Sequence, residues 1–79
     1  MTTKLIIPKE GMGTTEGTIV KWLKREGDPM IKGETLVEIE FAKATQELPS
    51  PVTGVLTKIL LAEGQTADVY TEIALIEEG

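Results

Sequence analysis

"GTIVKWLKREGDPMIKGETLVEIE" (Gly17–Glu40) lies without a gap over "GVLTKILLAEGQTADVYTEIALIE" (Gly54–Glu77) at an offset of 37 residues. Gly17 meets Gly54, Lys21 meets Lys58, and Glu26-Gly27 meets Glu63-Gly64. The apolar positions correspond as well: Ile19 with Leu56, Trp22 with Ile59, Leu23 with Leu60, Leu36 with Ile73 and Ile39 with Ile76. The chain therefore reads as two similar halves, about 17–40 and 54–77, each too small to bury its own apolar face.

Both halves carry β signals. Short runs rich in Ile, Val, Leu and Thr are bounded by Gly, Pro and Asp. This predicts strands at 3–8, 17–24, 35–41, 44–49, 54–61 and 72–77. Turns are expected at Glu26-Gly27-Asp28-Pro29, Lys32-Gly33-Glu34 and Glu63-Gly64-Gln65, where glycine adopts positive φ at little cost. Turn spacing of this kind suits a sandwich or flattened barrel, here two interlocked antiparallel sheets related by an approximate twofold axis.

Glu38–Leu48 is the ambiguous stretch. It is full of helix formers, and a helix would put Ile39 and Lys43 on one face. However, Val37, Ile39 and Phe41 alternate with Glu38, Glu40 and Ala42, and period two argues for a strand ending near Phe41. A hairpin follows, with Lys43 at its tip, although no Gly or Asn specifies the turn. Under the 37-residue offset, position 43 maps to 6 and to 80. The twofold counterpart of the tip is thus the place where the chain ends meet, so Lys43 and the termini are expected at opposite ends.

Composition narrows the function. The 79 residues contain no Cys and no His, which removes thiolate chemistry, disulfides and the commonest general base and metal ligand. The one serine, Ser50, lies between two prolines and has no histidine to activate it. Neither Asp28 nor Asp68 opens a loop with calcium-ligand spacing. Trp22 matches Ile59 in the repeat and reads as a core residue. The net charge of −5 with interspersed signs opposes nucleic-acid binding, and Lys21–Arg25 reads as the charged end of a strand. No apolar run approaches the roughly 20 residues that cross a bilayer. "GMGTTEG" (Gly11–Gly17) lacks the Gly-Lys-Ser/Thr ending of a phosphate loop and reads as a surface loop. These features imply a non-catalytic domain. With no signal-peptide layout, the expected location is the cytoplasm, or the mitochondrial matrix for a processed chain.

The succession "EGTIVKWLKREGD" (Glu16–Asp28), "KGETLVEIE" (Lys32–Glu40), a central "AKA" and "ELPSPVTGVL" (Glu47–Leu56) resembles the lipoyl domain of 2-oxo acid dehydrogenase complexes. "IPKEGMGTTEGT" is similar to the start of acyltransferase components for pyruvate, branched-chain oxo acids or acetoin. The match covers essentially the whole chain, 1–79, as one lipoyl domain. It implies a flattened β-barrel, or barrel-sandwich hybrid, of two four-stranded antiparallel sheets, with lipoate amide-linked to the hairpin lysine, which maps onto Lys43. It implies a swinging arm serving a thiamine diphosphate-dependent decarboxylase, an acyltransferase core and a flavin dihydrolipoamide dehydrogenase, after loading by a lipoate-attaching enzyme. The reactive group is then the cofactor's, so the missing Cys and His are no obstacle. Phe41, Ala42 and Ala44 become the hairpin flank that partners recognise, and an exposed Phe41 would touch the dithiolane or a partner. The loop Gly11, Met12, Gly13, Thr14 becomes a recognition element.

One departure stands out. The family usually has Asp immediately before the modified lysine, after a Thr or Ser; this chain has Phe41-Ala42. Ala42 cannot bond its own backbone as Asp does in a tight turn. Biotin carriers share the fold but flank their lysine with Met, whereas Ala42 and Ala44 stand here. A biotin carrier and an unmodified assembly module are the alternatives.

Overall fold

The computed structural model describes residues 1–9, 15–42 and 44–78. These residues form eight strands: β1 (Thr2–Ile6), β2 (Glu16–Trp22), β3 (Pro29–Met30), β4 (Thr35–Glu40), β5 (Thr45–Pro49), β6 (Gly54–Ile59), β7 (Thr66–Asp68) and β8 (Glu72–Glu78). They assemble into two four-stranded antiparallel sheets, in the orders β1-β8-β6-β3 and β5-β4-β2-β7. The flattened all-β architecture expected from the repeat is present. The strands expected at 3–8, 17–24 and 54–61 are placed correctly but end earlier, at Ile6, Trp22 and Ile59. Two further strands, β3 and β7, escaped the sequence reading because they hold two and three residues, too few to display a period.

The twofold relation extends to individual hydrogen bonds. Gly27 N–H donates to the Leu56 carbonyl at 2.6 Å, and its counterpart Gly64 donates to Ile19 at 2.7 Å. The Glu26 carboxylate accepts from Ile59 N–H at 2.8 Å, and Glu63 accepts from Trp22 N–H at 2.9 Å. This explains the repeated Glu-Gly pair: the glutamate satisfies a strand amide of the opposite half, and the glycine turns the chain back beneath it. Bulges repeat too, between Ile19 and Lys21 on β2 and between Leu56 and Lys58 on β6.

Between the sheets lie Ile7, Ile19, Leu36, Val37, Ile39, Leu56, Ile73 and Ile76, all with essentially no exposure, joined by Leu5, Met30, Phe41 and Ala74. Ile19, Leu36, Ile39 and their partners in the repeat therefore form the centre of the core. Trp22 and Ile59 are half-buried against it, and the Trp22 indole N–H donates to the Leu61 carbonyl at 2.9 Å. Leu23 and Leu60 match in the repeat yet are both exposed, because each follows the last residue of its strand or lies just beyond it.

The chain ends meet as the offset required. Thr2 pairs with Glu77, Glu78 N–H donates to the Met1 carbonyl at 2.8 Å, and the Met1 amino group lies 3.2 Å from Glu77 Oε1. The Thr2 hydroxyl, and after it that amino group, hold the Glu77 carboxyl below its usual range.

Candidate functional site

β4 and β5 pair from Thr35↔Pro49 to Glu40↔Thr45, and the run of residues 38–48 is a hairpin, not a helix. Phe41 N–H donates to the Ala44 carbonyl at 2.7 Å, and Ala44 N–H returns to Phe41 at 3.4 Å. That reciprocal pair leaves Ala42 and Lys43 as the whole connection. Lys43 lies outside the described residues, as do Gly11, Met12, Gly13 and Thr14. Its neighbours Ala42 and Ala44 are both exposed. Small side chains therefore flank position 43 on both sides.

The hairpin's position is set from beneath. Phe41 is 6% exposed and belongs to the core. This corrects the expectation of a contact residue at the surface: Phe41 continues the inward alternation of Val37 and Ile39, so its ring anchors the tip and does not decorate it. Burying such a ring stabilises the fold by about 1.5–3 kcal/mol. Below it lies Gly17, where an added Cβ would meet Ile39 Cγ2 at 2.8 Å, Phe41 Cε1 at 3.1 Å and Ile7 Cγ2 at 3.3 Å. The close approach of β2 to the hairpin base therefore depends on Gly17. The repeat flagged this glycine but did not disclose what it touches.

Tip and chain ends lie at opposite poles. Gly54 pairs with both Met30 and Glu78, and Lys32 N–H donates to Thr53 Oγ1 at 3.0 Å, which puts the base of β4 beside the C-terminal strand end. From Thr35 the strand runs six residues toward the hairpin, a distance of roughly 20 Å. Ser50, weighed above as a nucleophile, is 2% exposed, and its hydroxyl donates to the Val52 carbonyl as a turn cap. Among the described residues no group of three His, Cys, Asp or Glu side chains is placed to hold a metal ion.

A family model for the biotin/lipoyl attachment domain, described as "Biotin-requiring enzyme", matches residues 3–76. The chain belongs to this biotin/lipoyl family. Over all 79 residues this biotin/lipoyl domain is 46% identical to the dihydrolipoyllysine-residue succinyltransferase component of the 2-oxoglutarate dehydrogenase complex of Rickettsia bellii, covering 20% of that protein. It is 45% identical over 72 residues to the dihydrolipoyllysine-residue acetyltransferase component of the pyruvate dehydrogenase complex of Mycobacterium bovis, covering 91% of this chain and 13% of that protein. The chain thus spans a fifth or less of the length of these relatives. Among solved structures, a single-chain, multi-domain long-chain acyl-CoA carboxylase superposes with a TM-score of 0.84 at 20% identity, over 99% of this chain and 7% of its own. At that identity the likeness is one of fold.

Proposed function

We propose that residues 1–79 are a lipoyl carrier domain that carries lipoate in amide linkage to Lys43 and catalyses nothing alone. The observation that carries this reading is the two-residue hairpin connection, braced by buried Phe41, open on both flanks and remote from the chain ends. The two relatives named for their dihydrolipoyllysine residue support lipoate over biotin. When attached, the group supplies a dithiolane that accepts acyl groups and electron pairs, chemistry no side chain of this Cys-free and His-free domain offers. The chain's own contribution is presentation. A rigid barrel holds the attachment point at one pole and leaves the other for covalent continuation, so a tether would raise the arm's effective concentration at successive active sites. Those sites belong to a thiamine diphosphate-dependent decarboxylase, an acyltransferase core and a dihydrolipoamide dehydrogenase, in a cell compartment holding all three.

The biotin reading keeps one support, the carboxylase with the same fold. Intact-mass measurement of the protein co-produced with lipoate- and biotin-attaching enzymes decides between them. The expected product is a single lipoyl adduct; a biotinyl adduct, or the bare chain, would overturn the proposal.

The turn chemistry allows a second test. Tight two-residue hairpins favour positive φ at the first connecting residue, supplied by Gly, Asn or Asp. Tyr70 is the one described non-glycine residue with positive φ, so Ala42 does not adopt that conformation. Ala42→Asp adds a side chain able to bond the turn's own backbone. Faster lipoylation by the same ligase is expected in a time course; an unchanged rate would show that Ala42 serves as well as Asp.

A further inference from the structure

Four turns of this domain share one geometry. Residues 25–28, 31–34, 62–65 and 68–71 each close by an N–H of the fourth residue donating to the carbonyl of the first, at 3.0, 2.9, 3.1 and 3.2 Å. In each the third residue has positive φ: Gly27 at 94°, Gly33 at 93°, Gly64 at 85° and Tyr70 at 69°. This is the requirement of a type II turn, which glycine meets without penalty and a bulky side chain does not. Tyr70 stands where the other half of the repeat has Gly33. Tyr70 is 62% exposed, so packing does little to offset the strain. Neighbouring bonds hold the turn regardless. Tyr70 N–H donates to the Ile7 carbonyl at 2.7 Å, Ile7 N–H to Thr71 at 3.1 Å, and Val69 N–H to Thr15 at 3.0 Å.

A second unfavourable feature adjoins it. Glu16 and Asp68 stand directly opposite across β2 and β7, an arrangement that destabilises a sheet. Neither forms an ion pair among the described residues. Their counterparts in the repeat, Thr53 and Ile31, are uncharged. Both features lie at the hairpin pole. Thr18 is level with Glu40 of β4 and Thr66 of β7, so Glu16 and Asp68, two residues farther on, are level with the hairpin connection. Residues kept in sparsely populated backbone conformations cluster at functional sites.

We propose that Tyr70, at the same pole as the Glu16–Asp68 pair, is a specificity-determining contact through which this domain docks on the decarboxylase that acylates its arm. That enzyme offers an apolar slot for the ring, bordered by basic side chains. The inference rests on the lipoyl-carrier reading. An exposed tyrosine on a turn pinned by backbone hydrogen bonds supplies large contact area, and aromatic residues are enriched among those that dominate interface energetics. The two carboxylates steer a basic partner and reject an acidic one. The loading decarboxylase is the partner that must choose among arms, since an acyl group placed on the wrong carrier is lost to its complex. The dehydrogenase acts on the same dithiol whatever domain bears it, and gains nothing by reading Tyr70.

The experiment uses lipoylated parent, Tyr70→Gly, Tyr70→Phe and the double variant Glu16→Gln with Asp68→Asn, each shown by intact mass to carry one adduct. Thermal unfolding is measured beside the kinetics of reductive acylation by the decarboxylase and of reoxidation by the dehydrogenase. Tyr70→Gly is expected to raise Tm by about 4 °C as the turn relaxes. It should also raise KM for the decarboxylase about tenfold at unchanged kcat. Tyr70→Phe restores most of that KM, and the double variant flattens the salt dependence of kcat/KM. Parental KM in Tyr70→Gly overturns the proposal, as does a fall in its Tm or an equal rise in KM for the dehydrogenase. A parent without the adduct overturns the carrier reading itself, and this inference with it.

Discussion

Lys43→Arg leaves the chain folded and at its unmodified mass after co-production with the lipoate-attaching enzyme, and reductive acylation is abolished. Seven lysines are present, Lys4, Lys9, Lys21, Lys24, Lys32, Lys43 and Lys58, and all offer the same amine chemistry. Selection must therefore come from presentation. Lys4 is engaged 3.4 Å from Glu72 and Lys24 2.9 Å from Glu34, while Lys21 and Lys58 sit beside the paired bulges of β2 and β6. Position 43 falls between Phe41 and Ala44, whose reciprocal backbone bonds close the hairpin, and both of its neighbours, Ala42 and Ala44, are exposed. Acylation there removes one cation and makes the formal charge of −5 one unit more negative. The sharper variant pairs Ala42→Lys with Lys43→Ala, which keeps the lysine count and moves the amine by one residue. The two connecting positions of a tight turn have different backbone angles, so an amine moved from one to the other is presented differently and is expected to be modified poorly. Efficient modification of it, or an adduct on another lysine of the parent, would show that hairpin geometry does not choose the site.

Gly54→Ala is expected to destabilise the fold by about 3 kcal/mol or more. A Cβ at this position would overlap the Glu77 carbonyl oxygen and would stand 2.9 Å from Glu77 C and 3.0 Å from Glu78 Cα. All three are backbone atoms of β8, a strand paired on both sides, so none can rotate away. Domains of this size have on the order of 5–10 kcal/mol of stability, so the loss should appear as a large fall in the midpoint of chemical unfolding. Gly17→Ala provides the comparison. The atoms that its Cβ would meet are side-chain carbons of Ile39, Phe41 and Ile7, which have more freedom to repack than the backbone of a strand paired on both sides. A smaller stability loss is expected there. Equal losses at the two glycines would mean that β8 yields as readily as side chains do.

These two glycines correspond in the repeat, and sequence alone marked both as special. The repeat, the alternation of Val37, Ile39 and Phe41, and the glycine turns together determined the two-sheet architecture, the hairpin and the opposition of its tip to the chain ends. Such features are legible because they are local or periodic: a turn's φ is a property of one residue, and a strand's inward face repeats every second position. Tertiary structure decided the rest. β3 and β7 exist because β6 and β2 supply partners for two or three residues that have no period of their own. Leu23 and Leu60 remain exposed because burial depends on where the sheet ends, and the repeat match does not reveal that boundary. Gly17 and Gly54 look alike in sequence, yet one faces yielding side chains and the other an unyielding backbone. Tyr70 sits in a conformation suited to glycine because long-range bonds to Ile7 and Thr15 impose it, against the local preference of its side chain.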